Sequence, residues 1–307
     1  MLIYQSEISE DISRYIYIQW IVTYRCNYKC DYCYLRNTNL LDKNKDVLPS
    51  VYTFGIKKLS SIIDVSNCRF DIMGGEPTLH ADLDYLLDIA CTSGFKEVNL
   101  NTNGSLLKEH INAISSYPNA KIILSYHPNK CTYNFIDLVS SIVDAQIPLE
   151  INVMFPPNTQ QSYDTYNYLI NNFKNIDVTV GLIMPITYTD IEYQVLMDLI
   201  HSNKHDNNRC FIFVYGDNVE KYTNEEIRLL SLNKFKDMHC FVRHFTIDPD
   251  GKIDVLCSQH ILNSNFIWSK VAATHIKKVI TDGITCKNDI CGCSIGYNFK
   301  KMSMNYK

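Results

Sequence analysis

The strongest constraint on the fold is a regular alternation of short apolar runs with amphipathic stretches between about residues 15 and 200. Six runs have the length and apolar content of β-strands: Tyr15–Val22, Arg69–Met73, Glu97–Asn101, Lys121–Tyr126, Leu149–Phe155 and Val178–Met184. Six stretches between and after them are typical of helices: Val51–Asp64, Leu83–Thr92, Leu106–Tyr117, Phe135–Ala145, Tyr163–Phe173 and Ile191–Ser202. Six strand–helix units in series predict an α/β fold with a parallel sheet and right-handed crossovers.

After about residue 205 the pattern changes. Phe211–Tyr215 is predicted to be a short strand, Arg243–Leu256 a hairpin that turns at an Asp-Gly, and Phe266–Ile280 a helix. The last 22 residues hold three cysteines and are weakly patterned. We therefore predict two domains, residues 1–204 and a small α+β domain over residues 205–307 that needs a cross-link.

Composition excludes several classes of protein. With 46% hydrophobic residues, the chain can bury a substantial core, and its formal charge of −4 includes no basic block that would favour nucleic acid. No apolar run approaches the roughly 18–20 residues of a membrane span, and the N-terminus is acidic, unlike a secretory signal. We expect a cytoplasmic protein with no nucleic-acid or membrane partner. In that compartment the 12 cysteines favour metal or redox chemistry over disulfides.

Three of these cysteines lie within eight residues, directly after the first predicted strand. Cys26, Cys30 and Cys33 form a Cys-x-x-x-Cys-x-x-Cys motif. Three thiolates at this spacing can hold one iron–sulfur cubane and leave its fourth iron without a protein ligand. A structural zinc site would need a fourth ligand, which His80 or His127 could supply, although the spacing does not favour either. Three buried structural cysteines are the remaining alternative.

A second group of cysteines surrounds the predicted hairpin. Cys240 precedes the hairpin, Cys257 closes it, and Cys286, Cys291 and Cys293 follow near the end of the chain. Four thiolates from these segments could form a cage that cross-links the small domain. The residues alone do not distinguish an iron–sulfur cluster from zinc at this site.

A glycine-rich motif, Gly74-Gly75-Glu76-Pro77, follows the second predicted strand. Together with the cysteine motif after the first strand, it resembles the radical S-adenosylmethionine (radical SAM) superfamily, over about residues 15–200. The resemblance implies a partial (β/α)6 barrel and a radical SAM enzyme. It also implies that Cys26, Cys30 and Cys33 hold a [4Fe–4S] cluster, whose open iron chelates the amino and carboxylate groups of S-adenosylmethionine.

The same resemblance assigns roles to further residues. Tyr32 would pack near the cluster and present its backbone to the adenine, and residues 74–77 would receive the methionine amino group through a backbone carbonyl or Glu76. Asn103, in the Asn-Thr-Asn-Gly after the third strand, and Ser125, at the end of the fourth, would contact the cosubstrate. The Tyr-His-Pro that follows Ser125 departs from the family's commoner wording. His127 would face the substrate as a proton carrier or binding residue, or else form only local hydrogen bonds.

The second cysteine group, attached to such a barrel, resembles the twitch type of C-terminal domain, a shortened SPASM domain with an auxiliary [4Fe–4S] cluster. The favoured ligands are Cys240, Cys257 and Cys291, and Cys286 and Cys293 compete for the remaining place. Two departures from the usual form are a gap between Gly251 and Cys257 that is one residue longer and the spacing of the terminal cysteines.

The resemblance implies reductive cleavage of S-adenosylmethionine to a 5′-deoxyadenosyl radical that abstracts hydrogen from a small polar substrate, such as a sugar or a nucleotide-linked group. The electron would come from a donor such as flavodoxin or ferredoxin, and the auxiliary cluster could make the net reaction an oxidation. Modification of a ribosomally made peptide is an alternative function. A second alternative is a non-catalytic redox carrier or sensor, although such a protein does not need a site for the methionine part of S-adenosylmethionine. A third alternative is a binding protein with structural zinc.

Overall fold

The computed structural model describes residues 2–6, 15–183, 188–202, 211–215, 218–222, 224–255, 265–289, 291 and 301–303. Its centre is a set of six parallel strands that are hydrogen-bonded in chain order. They are β2 (Ile16–Thr23), β3 (Cys68–Gly74), β4 (Glu97–Thr102), β5 (Ala120–Tyr126), β6 (Leu149–Phe155) and β7 (Asp177–Leu182). This confirms the predicted α/β class with a parallel sheet. The predicted end of the sixth strand, Met184, lies outside the described residues.

Helices cover one face of this sheet. They are α2 (Pro49–Ile62), α3 (Leu83–Thr92), α4 (Ile111–Ile114), α5 (Phe135–Asp144), α6 (Gln160–Asn172) and α7 (Asp190–Ser202). The short helix α1 (Tyr34–Asn37) follows the cysteine motif and packs Leu35 against Ile21, in a cluster separate from the core under these helices. Alternate strand residues point towards the helices and form the apolar core, in which the rings of Trp20 and Tyr52 lie 4.7 Å apart and those of Phe70 and Phe95 lie 4.6 Å apart. The helix-facing side of each strand is therefore fixed by its hydrophobic alternation.

The third predicted helix, Leu106–Tyr117, is shorter than its pattern indicates. Residues 106–117 form a single turn of 3-10 helix, Leu107–Glu109, followed by the four-residue α4. The hydroxyls of Ser115 and Ser116 donate to nearby backbone carbonyl oxygens, and Pro118 follows Tyr117. These local hydrogen bonds and the proline compete with continuation of the helix.

The C-terminal half contributes to two sheets. A six-stranded sheet has the order β14-β10-β15-β1-β8-β9. Its strands are β1 (Leu2–Ser6), β8 (Phe211–Tyr215), β9 (Asn218–Tyr222), β10 (Met238–Cys240), β14 (Ile284–Thr285) and β15 (Lys301–Ser303). The other described helices of this half are α8 (Asn224–Leu229) and α9 (Lys270–Asp282). The N-terminal strand β1 pairs antiparallel with both β15 and β8.

The predicted hairpin joins the barrel sheet instead. It consists of β11 (His244–Ile247) and β12 (Lys252–Val255), followed by β13 (Asn265–Phe266), and β11 pairs parallel with β2. Strands on the two sides of the predicted boundary at residue 204 therefore pair with each other: β1 with β8 and β15, and β2 with β11. The boundary itself stays a prediction. In the part of the chain that the structure describes, no helix is long and apolar enough to span a membrane.

Candidate active site

The cysteine loop and the glycine-rich loop lie side by side because they follow neighbouring parallel strands. Gly75 N donates to Thr23 O at 2.8 Å, and Glu76 N donates to Arg25 O at 2.7 Å. A Cβ atom on Gly75 would lie 2.1 Å from Arg25 O and 3.1 Å from the Cβ of Cys26. Gly74 has φ +153°, and its Cβ would lie 2.2 Å from Thr23 O. Only glycines permit this approach, which holds the backbone against the first cysteine.

The three cysteines of the loop form no disulfide, and Cys30 is the most buried of them. Burial raises the pKa of the Cys26 thiol to about 11 and also raises that of Cys30. Among the described residues, no three Cys, His, Asp or Glu side chains meet closely enough to ligate one metal ion. A cubane does not require such convergence, because each thiolate binds a different iron atom. The donor set and the glycine cradle beside it therefore fit a [4Fe–4S] cluster.

An ion pair fixes the start of the loop. The Asp46 carboxylate accepts hydrogen bonds from Arg25 Nε at 2.9 Å, Arg25 Nη2 at 2.6 Å and Thr23 Oγ1 at 2.5 Å. Arg25 also donates to the carbonyl oxygen of Leu79, just after the glycine-rich loop. Burial of Asp46 is outweighed by these donors, which hold its pKa below the usual value. The backbone before Cys26 is thus held without help from its sulfur.

The Glu76 side chain is 1% exposed, and four donors surround its carboxylate. They are Thr78 N at 3.1 Å, Thr78 Oγ1 at 2.7 Å, Thr102 Oγ1 at 2.6 Å and Asn103 N at 2.7 Å. Burial raises the pKa of this carboxyl, and the four donors oppose that effect. A carboxylate has about four acceptor positions, so those of Glu76 are used inside the protein. Its hydrogen bonds connect the end of β3 to the end of β4.

Asn103 connects the end of β4 to the cysteine loop. Its Nδ2 donates to Oδ1 of Asn27 at 2.9 Å, and Asn27 in turn donates to Ser105 Oγ at 2.7 Å. The hydroxyl of Tyr133 donates to the Asn103 carbonyl oxygen at 2.8 Å. Sequence reasoning missed Asn27 and Tyr133. The only signal for Asn27 was its place between Cys26 and Cys30.

Tyr32 and His127 form a pair beside Cys30. Their rings stack with centroids 5.9 Å apart and planes inclined by 16°, and the Tyr32 hydroxyl lies 2.9 Å from His127 Nδ1. The same nitrogen is 3.7 Å from Cys30 Sγ. Burial lowers the pKa of His127 to about 4, so the imidazole is neutral at physiological pH. The structure therefore places His127 against the cysteine loop.

The remaining predicted residues occupy the same end of the sheet. Pro77 is buried and begins a 3-10 turn, Pro77–Leu79. Ser125 is half-buried in β5, opposite Asn152 of β6, on the face of the sheet that the helices do not cover. Both lie where a ligand at the carboxyl ends of the strands would be bound.

The uncovered face of the sheet is polar. Asp71 accepts from Arg69 Nε at 3.1 Å and from Asn99 Nδ2 at 2.8 Å, and Lys121 donates to Glu150 at 3.0 Å. Further along the strands the same face carries the neutral groups Asn101, Ser125, Asn152 and Thr179, together with the apolar side chains of Met73 and Ile123. Ser125 was predicted from the sequence, whereas Asn152 and Thr179 were missed, although their alternation along each strand was a readable signal. This face suits a polar ligand better than an apolar one.

The second cysteine group is brought together by strand pairing. Cys240 ends β10, and Cys286 follows β14, which pairs with β10. Cys286 N donates to Met238 O at 2.9 Å, and Cys291 N donates to Asn233 O at 2.8 Å. All three cysteines are buried. The predicted ligands Cys257 and Cys293 lie outside the described residues.

Residues 20–127 match the model of the Radical SAM superfamily. The GTP 3′,8-cyclase of Staphylococcus saprophyticus is 37% identical over 103 residues, which are 29% of this chain and 27% of that protein. The S-adenosylmethionine-dependent nucleotide dehydratase of Selenomonas ruminantium is 27% identical over 177 residues, 55% of each protein. The chain thus spans between about a quarter and three-fifths of the length of the curated relatives it matches.

Among solved structures, the chain is similar to Streptococcus suis SuiB bound to its precursor peptide SuiA. The TM-score is 0.58 at 15% sequence identity, and the match covers 86% of this chain and 65% of SuiB. At this identity the likeness concerns the fold. It extends well beyond residues 20–127, into the C-terminal half.

Proposed function

Because this chain contains a radical SAM domain over residues 20–127, we propose that it is an enzyme that binds S-adenosylmethionine at the carboxyl ends of β2 to β5. The observation that carries this proposal is the packing of the three-cysteine loop against Gly74 and Gly75, at distances that exclude any side chain larger than hydrogen. A chain that needs only buried thiols has no use for this cradle.

In the proposal, Cys26, Cys30 and Cys33 hold a [4Fe–4S] cluster whose fourth iron chelates the amino and carboxylate groups of S-adenosylmethionine. When bound, this cluster would supply one electron, received from a donor such as flavodoxin or ferredoxin, for reductive cleavage of S-adenosylmethionine to methionine and a 5′-deoxyadenosyl radical that would abstract hydrogen from the substrate. The protein's own residues bind and orient. Backbone carbonyls at residues 74–77 accept from the methionine ammonium, and Glu76 positions them.

Three further residues complete the cosubstrate site in this proposal. Tyr32 presents its backbone to the adenine, and Asn103 and Ser125 contact the ribose or carboxylate from the ends of β4 and β5. The support is that hydrogen bonds from Asn103 hold the β4 end against the cysteine loop. Ser125 is half-buried on the uncovered face.

The substrate is proposed to be small and polar, such as a sugar or a nucleotide-linked group. Neutral amides and hydroxyls on the uncovered face offer hydrogen bonds without a net charge. Two matching relatives carry names that refer to GTP and to a nucleotide. The active-site walls would serve to exclude water and to hold the target carbon close to the radical.

A second candidate is the modification of a ribosomally made peptide. The observation in its favour is the shared fold with SuiB, a protein whose structure was solved with a precursor peptide. The charged rows deep on the uncovered face favour the small substrate, because a peptide would occupy only the mouth of the site. A non-catalytic redox carrier or sensor is less well supported, because such a protein does not need a glycine-rich loop packed against its cluster-binding cysteines.

We further propose that residues 205–307 form a twitch-like domain with an auxiliary [4Fe–4S] cluster. Its ligands would be Cys240, Cys257 and Cys291, with Cys286 and Cys293 competing for the remaining place. The support is the convergence of the segments that carry Cys240, Cys286 and Cys291. This auxiliary cluster would accept an electron from the substrate radical, and the net reaction would then be an oxidation. We propose that the enzyme is cytoplasmic.

The test is anaerobic reconstitution of the full chain with iron and sulfide, followed by dithionite reduction and addition of S-adenosylmethionine. Formation of 5′-deoxyadenosine supports the proposal, and its absence from protein that carries a reducible cluster contradicts it. A panel of nucleotide sugars, nucleotides and peptides then identifies the substrate class by which member increases 5′-deoxyadenosine formation.

A further inference from the structure

A group of solvent-exposed aromatic rings connects α2 to the segment between β13 and α9. The rings of Phe54 and Trp268 lie 5.7 Å apart, and Phe266 stacks on Trp268 with centroids 4.9 Å apart. Phe54 is 54% exposed and Phe266 is 41% exposed. Exposed apolar groups that are contiguous, rather than scattered singly, mark interaction sites. These three rings are named the aromatic surface.

Lysines surround the aromatic surface. Lys57 and Lys58 follow Phe54 by three and four residues on α2, so they neighbour it on the surface of the helix. On β12, the ammonium of Lys252 lies 5.6 Å from the centre of the Phe266 ring. The surface therefore combines apolar area with a positively charged rim.

These lysines form a basic region on an acidic protein. Helices α2 and α9 together contain five lysines and one carboxylate, whereas the whole chain has a formal charge of −4. Of the hairpin carboxylates, Asp250 pairs with Lys45, and Asp248 and Asp254 accept hydrogen bonds from nearby backbone N–H groups. Within the described part of the chain, no ion pair is formed by the lysines of the two helices, which are Lys57, Lys58, Lys270, Lys277 and Lys278.

The aromatic surface adjoins the cysteine loop. Helix α2 begins at Pro49, and the N–H of Val47 just before it donates to the carbonyl oxygen of Val22 at 2.8 Å. Asp46, the preceding residue, pairs with Arg25, which is next to the first cysteine of the loop. Because α2 covers the helix side of the sheet, a partner bound here lies on the opposite side from the uncovered face proposed for the substrate.

We propose that the aromatic surface docks the one-electron donor of this enzyme, an acidic carrier protein of the flavodoxin or ferredoxin class. The inference rests on the proposed function, because it needs a cluster to reduce. A substrate must contact the radical, whereas an electron can pass through the protein from a docked donor to a nearby cluster. One electron leaves the reduced carrier and is taken up by the first cluster, and no proton or group is transferred.

Charge and apolar area have separate roles in this docking. Acidic groups of the carrier meet the lysine rim, which accelerates association and fixes orientation. The apolar centre of the contact covers the three rings and excludes water from them.

Two other occupants fit the aromatic surface less well. A second copy of this chain would place its lysines against the same lysines, because a two-fold contact brings identical patches together. An acidic peptide substrate bound here would lie on the side of the sheet away from the uncovered face. Both occupants are separate outcomes of the test.

The test compares two sources of electrons for the reconstituted full chain. Lys58→Glu is combined with Lys270→Glu, and 5′-deoxyadenosine formation is measured with dithionite, with reduced flavodoxin and with reduced ferredoxin. At low salt and limiting carrier, the carrier-driven rate should fall about tenfold or more, because electrostatic steering is reversed. The dithionite-driven rate should stay close to the wild type, since a small reductant needs no docking surface.

A matched control reverses two lysines elsewhere. Lys108→Glu with Lys174→Glu changes the net charge by the same amount at exposed positions outside the basic region, and should keep the carrier-driven rate. Added salt should slow the wild type with the carrier and have less effect on Lys58→Glu with Lys270→Glu. If that variant does not hold a cluster, the neutral pair Lys58→Gln with Lys270→Gln carries the test.

The apolar part of the proposal has its own variant. Phe54→Ala removes an exposed ring from the centre of the contact and should lower the carrier-driven rate about fivefold. This loss should persist at high salt, because it does not depend on charge. Iron content and the dithionite-driven rate check that the cluster is intact.

The outcomes separate this inference from the proposed function. An unchanged carrier-driven rate in the lysine variants overturns the inference and leaves the proposed function intact, as does a wild type that works with dithionite but with neither carrier. A dimer that Phe54→Ala dissociates, or a raised KM for an acidic peptide under dithionite, overturns it in favour of that occupant. A wild-type chain that forms no 5′-deoxyadenosine with dithionite overturns the proposed function, and this inference with it.

Discussion

The two cysteine regions of this molecule are built in opposite ways. The first lies in one eight-residue loop, and its backbone is held by the neighbouring loop and by the Arg25–Asp46 ion pair. The second is assembled from strands far apart in the chain, because β10 and β14 must pair before Cys240 and Cys286 come close. The first region can therefore exist before its metal arrives, whereas the cysteines of the second are part of the packing. Loss of cysteines should change chemistry in the first and both chemistry and stability in the second.

The largest effect is expected from replacing Cys26, Cys30 and Cys33 together by alanine. The variant should form no 5′-deoxyadenosine, because no cluster can be held. Its free energy of unfolding without metal should fall by only about 1 kcal/mol, from loss of the buried Cys30 side chain, since the loop backbone is held by groups other than sulfur. Iron content, product assay and urea unfolding check these points. Cys91→Ala, a buried position in α3, is the control and should retain the product.

The next effect concerns the second region. Cys240→Ala with Cys286→Ala should lower the iron content and block turnover of the true substrate, while cleavage of S-adenosylmethionine continues. Both side chains are buried, so each replacement should also lower the free energy of unfolding by about 1 kcal/mol. A variant as stable as the wild type, or one that turns over substrate normally, would contradict the proposed difference between the two cysteine regions.

A smaller effect on activity is expected at Glu76, which connects the first region to the sheet. Glu76→Gln replaces one acceptor oxygen by an amide that faces N–H and O–H donors. Leaving buried donors without partners should lower the free energy of unfolding by about 2–3 kcal/mol, and S-adenosylmethionine should bind more weakly. Thr102→Val removes one of the four donors and should cost about 1 kcal/mol. Equal losses in the two variants would mean that the carboxylate does not hold the strand ends together.

The smallest effect is expected from Asp46→Asn. Side chains of Arg25 and Asp46 are about one-third exposed, so the loss should be only about 0.5–1 kcal/mol at neutral pH. The pKa of Asp46 lies below its usual value in the folded protein, so its contribution is present above the unfolded-state pKa and is lost as the pH falls through the folded-state pKa. Unfolding measured from pH 7 to pH 3 should therefore show the difference between variant and wild type shrinking below about pH 4.

The parallel sheet was predictable because each strand is short, apolar and followed by a helical pattern, and the strand ends fall within a residue or two of the prediction. The 106–117 helix was overestimated, since its periodicity did not reveal the local hydrogen bonds of Ser115 and Ser116. The pairing of β1 with β8 and β15 could not be predicted from the sequence, because strands so far apart along the chain leave no local sequence pattern that identifies their partners.

In the candidate site, the motifs predicted which loops meet but not which atoms face inward. The motif predicts that Glu76 can bind a ligand, whereas in the structure its carboxylate accepts hydrogen bonds from Thr102 and Asn103 of the protein itself. The pairing of His127 with Tyr32 depends on how the end of β5 approaches the cysteine loop, a distance that sequence spacing does not contain. The contacts of the predicted cosubstrate residues stay predictions, as do the ligands of the auxiliary cluster.

Two adjacent side chains link the halves of the molecule. Lys45 forms an ion pair with Asp250 in the turn between β11 and β12, and Asp46, the next residue, forms the pair with Arg25 beside Cys26. One peptide unit thus anchors the hairpin turn on one side and the cysteine loop on the other. Both pairs are partly solvent-exposed, so added salt weakens them together. High ionic strength therefore weakens the attachment of the hairpin turn and that of the cysteine loop at the same time.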